Sequence, residues 1–272
     1  MALLYNRKIK LEVVDIETNV KYIFDGLRIA FDFVKSWEGV PNSGSVTIYN
    51  VAEEARAPLD KVNNVVNVIA GYGEDINPVL TGTILKTETE RETADIVTEI
   101  QIGDGALALA NAQVNKVFPK NNTELDIIRE AILQLQNQGV GLNNDFNEDD
   151  FKVKLPRAVT VSDTAKAVLS EYTSKRQYRW SIQDSQLLLL KYSDGTSEDA
   201  FRLAPETGLI GTPKTSFNNI TFNTLLLPGL SVGRKVVLEG TKSDAAYVIL
   251  KLNGRGDNFG NEFGYSCEAQ IL

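Results

Sequence analysis

The stretch VVNVIAGYGEDINPVLTGTILKTETERETADIVTEIQI, Val65–Ile102, decides the fold. It opens on a valine-rich strand ending at Gly71, passes through a polar loop, and continues as two further strands separated by a polar turn. Residues 64–102 and 233–271 follow the same plan without a gap: RKVVLEG ends at Gly240, and the closing segments VTEIQI and SCEAQI agree at Glu99/Glu268, Gln101/Gln270 and Ile102/Ile271. A repeated unit sets the architecture of a whole chain, so this echo outranks any single motif. It predicts two copies of one β unit.

Outward from that stretch, the first third continues the β pattern. KIKLEVVDI alternates Ile9, Leu11 and Val13 with polar partners, and LRIAFDFVKS does the same with Ile29, Phe31 and Phe33. Such period-two alternation marks half-buried strands. GVPNSGSVTIYNV gives a turn and then a strand with Val46, Ile48 and Val51 inward, and AEEARAPLDKV is a short helix limited by Pro58. The pattern changes near Ala106. NNTELDIIREAILQLQNQG places Leu125, Ile128, Ile132 and Leu135 at helical spacing, with Thr123 or Asn122 as cap, acidic Glu124 and Asp126 in the first turn, and Gly139 after the end. VSDTAKAVLSEYTSKR reads as a second helix capped by Ser162, with Ala165, Val168, Leu169 and Tyr172 on one face. QYRWSIQDSQLLLLKY reads as a hairpin turning at Asp184-Ser185. From FRLAPETGLIG onward the chain is β again. The expected class is mainly β with an α+β insert: a first β domain over 1–112, the insert over 113–194, and a second, related β-barrel or sandwich domain over 195–272.

Composition narrows the function. The 272 residues carry a net charge of −8, which opposes electrostatic binding of nucleic acid. Histidine is absent, which removes histidine-based catalysis and the commonest nitrogen ligand of zinc. The single cysteine, Cys267, allows no intrachain disulfide, as suits a reducing compartment. No apolar run approaches the roughly 18 residues of a membrane span, and the N-terminal MALLYNRKIKLEVVDIE lacks the apolar core of a signal peptide. The chain is expected to fold in the cytoplasm in which it is made, without cofactor or metal and without membrane insertion.

Three stretches invite a functional reading. Arg255-Gly256-Asp257 spells the tripeptide read by animal adhesion receptors, but it lies among Gly254, Gly256, Gly260 and Gly264. Glycine and Asx residues build turns, so a glycine-rich hairpin loop is the better reading, with Arg255, Asp257 and Asn258 as candidate contacts to a neighbouring assembly component. In KTETERET, Glu88, Glu90 and Glu92 share one face of an extended strand. A hard-cation site is conceivable there, yet a solvated hairpin tip is the simpler reading. NNDFNEDDF is likewise an acidic surface loop. Paired carboxylates at glycosidase spacing of about 5–10 Å must occur by chance among 36 acidic residues, and no motif selects a pair, so no enzyme is expected. Trp37 and Trp180 suit a sugar platform less well than a core or interface.

The ordered series LRIAFDFVKSWEGVPNSGSVTIYNVAEEAR, VIAGYG…PVLTGTILKTETERETADIVTEIQIGDG, FNTLLLPGLSVGRKVVLEG and GDNFGNEFGYSCEAQ resembles the baseplate hub proteins of phage tails. The resemblance implies a homotrimer with two tube-like β domains per subunit, so that three chains present six similar domains and join a threefold spike to a sixfold tail tube. The implied partners are the tail tube protein, a separate spike protein, other baseplate or tail-tip proteins, and genomic DNA in transit. The implied location is the virion's tail baseplate, after synthesis in the host bacterial cytoplasm. Under this resemblance Glu88, Glu90 and Glu92 become candidates for an acidic channel lining that repels DNA. A carbohydrate-binding or adhesin module of a virion is the alternative.

Overall fold

The computed structural model describes residues 6–143, 145–239 and 245–272. The chain begins with β1 (Arg7–Val14), β2 (Lys21–Phe24), β3 (Ile29–Ser36), β4 (Asn42–Tyr49), α1 (Ala57–Asp60), β5 (Val65–Tyr72), β6 (Asp75–Glu92) and β7 (Asp95–Asp104). It continues through α2 (Ala106–Asn111), β8 (Gln113–Phe118), α3 (Glu124–Gln136), β9 (Gly141–Leu142), β10 (Val159–Thr164), α4 (Ala165–Ser174), β11 (Tyr178–Gln183) and β12 (Gln186–Lys191). It closes with β13 (Phe201–Leu203), β14 (Leu209–Ser216), β15 (Asn219–Leu225), β16 (Lys235–Leu238), β17 (Ala246–Asp257) and β18 (Phe263–Ile271). The alternating residues Ile9, Leu11, Val13, Ile29, Phe31, Phe33, Val46 and Ile48 are all buried, as period two requires.

Two compact units result. The first takes the residues up to Lys35, Asn42–Asp104 and Glu198–Leu272; the second takes Ser36–Pro41 and Gly105–Ser197. In the first, one 13-stranded sheet runs β14-β15-β18-β17-β3-β4-β7-β6-β5-β1-β2, with β16 on β17 and β13 on β16. The order β3-β4-β7-β6-β5 is repeated as β14-β15-β18-β17-β16. The fold is therefore two related β units, and the duplication covers five strands in each rather than the three legible in the sequence.

The gap-free overlay finds the right strands at the wrong register. Both long hairpins carry one bulge: Ile84 pairs Ile102 and Lys86 pairs Gln101, leaving Leu85 extra, while Ile249 pairs Ala269 and Lys251 pairs Glu268, leaving Leu250 extra. A bulge inserts one residue and fixes register on either side. Ile84-Leu85-Lys86 thus corresponds to Ile249-Leu250-Lys251, and Ile102 to Ala269, not to Ile271. The agreement at Glu99/Glu268 and Gln101/Gln270 is coincidental. Gly240, on which the first strand of the overlay ended, lies outside the described residues.

The second unit matches its sequence pattern more simply. Leu125, Ile128, Ile132 and Leu135 of α3 are buried, as are Ala165, Val168, Leu169 and Tyr172 of α4. Thr123 caps α3: its N–H and hydroxyl both donate to Asp126 Oδ2, at 2.7 and 2.9 Å. The second cap differs from expectation. Thr164 Oγ1 accepts from the Ala167 N–H at 3.1 Å and starts α4. Ser162 instead sits in β10 opposite Asn115 of β8, to which its hydroxyl donates at 2.7 Å. The β11–β12 hairpin turns at Asp184-Ser185, both with positive φ.

Candidate assembly interface

The adhesion-like tripeptide is not a turn. Arg255-Gly256-Asp257 ends strand β17, and the turn follows it. β17 is edged twice on one side. Its first half, Ala246–Val248, pairs with β16. Its second half lies against β3, where the two β units of the chain meet. Arg255 Nε reaches Asp32 Oδ2 at 2.5 Å, and Arg28 Nη2 reaches Asp257 Oδ2 at 2.9 Å. Asn258 closes the end: its side-chain oxygen accepts from Ile29 N–H at 2.9 Å, and its amide donates to Leu27 O at 2.8 Å. The strands run in opposite directions, because Asn258 meets Ile29 while Arg255 meets Asp32.

The glycines serve packing. Neither Gly254 nor Gly256 has positive φ. A Cβ on Gly254 would overlap the Phe33 ring, and one on Gly256 the Phe31 ring. Those rings stack at 5.7 Å and continue into Phe263 and Tyr265 of β18, at 6.5 and 6.3 Å. Tyr72 of β5 meets Phe263 edge-on at 5.2 Å. Sequence reasoning singled out Arg255, Asp257 and Asn258, and the structure gathers all three at this junction. It missed Arg28, Asp32 and the Phe31/Phe33 alternation that requires the glycines.

Burial raises the pKa of the Asp257 carboxyl, but Arg28 and the N–H groups of Phe259 and Gly260 outweigh it and hold the group below its ordinary value. A depressed carboxyl pKa stabilises the fold above the unfolded value, near 4, and that contribution disappears as pH falls through the folded value. Asp257→Asn should therefore be less stable than the parent at pH 7 and lose less stability between pH 5 and 3. Urea midpoints across that range would show it; parallel pH profiles would exclude the role.

Glu88, Glu90 and Glu92 lie on the outer part of the β6–β7 ribbon, exposed, on the face opposite Thr87 and Thr89. Glu88 stands across from Glu99 and is paired with Lys86. Among the described residues no group of three carboxylate, histidine or cysteine side chains is arranged to hold a metal. The acidic 145–151 segment is tied down around a buried Phe151: Asp150 takes Lys191 Nζ at 2.7 Å and the Tyr178 hydroxyl at 2.5 Å, and Glu148 takes Arg129 at 2.5 Å. Burial and the Asp150 carboxylate push the Tyr178 hydroxyl above its ordinary pKa. An open cleft of about 420 Å³ beside this cluster is lined by Asp150, Arg176, Gln177, Lys191, Tyr192 and Ser193. Its charges are spent on one another and on Glu124, and the Arg179 guanidinium stacks on Tyr192 at 4.3 Å. Trp37 and Trp180 are buried.

No protein-family model matches the sequence, and no curated protein matches it. Solved structures do. A 43 kDa tail protein of prophage MuSo2 from Shewanella oneidensis is similar with a TM-score of 0.66 at 11% identity, over 97% of this chain and 98% of that one. A tail protein from Neisseria meningitidis gives 0.65 at 10% identity, over 98% and 97%. An Escherichia coli component of the type VI secretion system, itself structurally similar to bacteriophage tail proteins, gives 0.62 at 11% identity, over 96% and 76%. The chain has the fold of these tail proteins.

Proposed function

We propose that this chain is a structural hub of a bacteriophage tail baseplate, acting as a homotrimer that adapts a sixfold tail tube to a threefold spike. The observation that carries the reading is the duplication: one strand order, β3-β4-β7-β6-β5, occurs twice in one sheet. Two quasi-equivalent units per chain present six units in a closed ring only when three chains assemble, and head-to-tail contacts close into rings when the rotation permits. Similarity to tail proteins over nearly the whole chain supports the setting.

The role is mechanical. The hub holds the spike, seals the tube, and leaves a passage for DNA when the spike departs; it works in the virion after synthesis in the host cytoplasm. DNA carries about one charge per 1.7 Å of duplex axis, so a basic wall would retain it. A chain at −8 can present an acidic one, and Glu88, Glu90 and Glu92 are the proposed lining. Tube, spike and neighbouring baseplate proteins are the partners. At the β17–β18 turn Arg255, Asp257 and Asn258 are engaged within the chain, so the side chain offered outward beside them is Phe259, 74% exposed.

The mass of the protein in solution tests the reading. Three chains of 30.0 kDa should give a particle of about 90 kDa at high concentration, with no larger series. A stable dimer, a hexamer or an open-ended series would contradict it.

A further inference from the structure

We propose that the second copy in this assembly docks the outer segment of its β6, Lys86–Glu92, antiparallel against β14, setting Glu90 opposite Lys214 and Thr89 opposite Thr215. The inference rests on the trimer proposed above and names the contact that builds it.

The template lies inside the chain. β17 is edged by β16 over its first half and by β3 over its second. β6 is the counterpart of β17, and its first half, Asp75–Thr83, is edged by β5 in the same way. Beyond Leu85 it pairs with no strand but β7 among the described residues. The Thr87 hydroxyl donates to Leu59 O of α1 at 2.6 Å, and past that contact the edge that β17 gives to β3 is open on β6. β14 is the counterpart of β3. It pairs only with β15 among the described residues and ends the sheet. One open edge therefore matches one open strand, and their counterparts already pair. Unpaired edges are templates for another chain.

The register follows from the bulges. Equating Leu85 with Leu250 makes Glu90 the counterpart of Arg255, and Thr89 the counterpart of Gly254. Pairing along β3–β4 and β14–β15 makes Lys214 the counterpart of Asp32, and Thr215 the counterpart of Phe33. The internal ion pair Arg255–Asp32 then becomes Glu90–Lys214, with both signs reversed. The internal size pair Gly254–Phe33 becomes Thr89–Thr215, two medium side chains in place of one absent and one large. Either exchange conserves the sum while changing both members. Cross-strand Thr–Thr and opposite-charge pairs are favourable sheet contacts.

Exposure agrees. Thr215 pairs Ile220, and Thr89 pairs Thr98, so both threonines lie on the face of a buried cross-strand partner. Both are nevertheless exposed, whereas their counterparts Phe33 and Gly254 are covered. Neither Glu90 nor Lys214 has an ion-pair partner among the described residues. β14 also carries a bulge over Gly211-Thr212-Pro213, and Pro213 has no N–H to give. Bulges and prolines restrain indiscriminate edge pairing, which leaves Lys214–Ser216 as the regular docking segment. Phe217, fully exposed, begins the two-residue turn after Ser216 with positive φ, so the extended segment ends at Ser216.

The test is a disulfide. Thr89→Cys with Thr215→Cys in one chain should, on oxidation, give covalent dimers and trimers and nothing larger, because a closed ring has three such contacts. Cys267 is buried and supplies little background. Glu90→Lys and Lys214→Glu should each weaken the trimer about fivefold per contact, about 100-fold over three, and the double reversal should restore it. Trimers that form in solution without cross-linking, and that ignore the charge reversals, would overturn this register and leave the hub reading standing. Monomers at every concentration with no linked species would overturn both. An unending ladder of linked species would support the strand contact and reject the closed ring.

Discussion

Replacing Gly254 with threonine should destabilise the first unit by about 3 kcal/mol, the upper range for overpacking a filled core. The new Cβ would enter the Phe33 ring, which is 1% exposed and held between Phe31 and Tyr265. Phe33→Thr alone should cost a similar amount through the cavity it leaves. The double variant recreates the Thr–Thr pairing proposed between subunits and should cost clearly less than the two singles together. Neighbouring side chains are where additivity fails. The readout can be separated by unit, because Trp37 and Trp180 both belong to the second. Far-ultraviolet circular dichroism should follow the damaged sheet while tryptophan fluorescence keeps its parental midpoint. Additive losses, or no loss at Gly254, would reject the glycine–phenylalanine fit.

The converse experiment targets Phe151. It is fully buried, 5.4 Å from Phe146 and edge-on to Tyr178 at 4.9 Å. Truncation to alanine should cost about 3–5 kcal/mol, as for other buried aromatic rings. The loss should fall on the second unit, so the tryptophan midpoint should drop with the sheet signal largely retained. A single shared transition that moves as one would show that the units unfold together, contrary to this expectation.

Both experiments rest on residues whose roles differed in legibility. The strands were plain because alternation is local: Ile9, Leu11 and Val13 announce their own face. The α3 cap was plain for the same reason, since Thr123 and Asp126 lie within one turn. Register was not, because a bulge is set by what a strand meets across the sheet. The overlay rested on the echo Glu99/Glu268, whereas the bulges make the Ile-Leu-Lys around Leu85 and Leu250 the true correspondence. Ser162 looked like a cap because its partner, Asn115, is 47 residues away. Gly254 and Gly256 looked like turn residues because the rings that exclude a Cβ there come from β3, over 220 residues earlier. Phe151 was hidden in an acidic run whose charges are surface ion pairs around it. Glu88, Glu90 and Glu92 were found as a set, but the open strand edge beneath them, and Lys214 as its counterpart, become visible only when the sheet order is known.

Imaging the assembled particle end-on by cryo-microscopy tests the central claim most directly. The account predicts a ring of three chains displaying six similar β units, with contacts within and between chains alternating around it. A ring in which the number of chains equals the number of β units, or one in which β14 faces solvent, would contradict it.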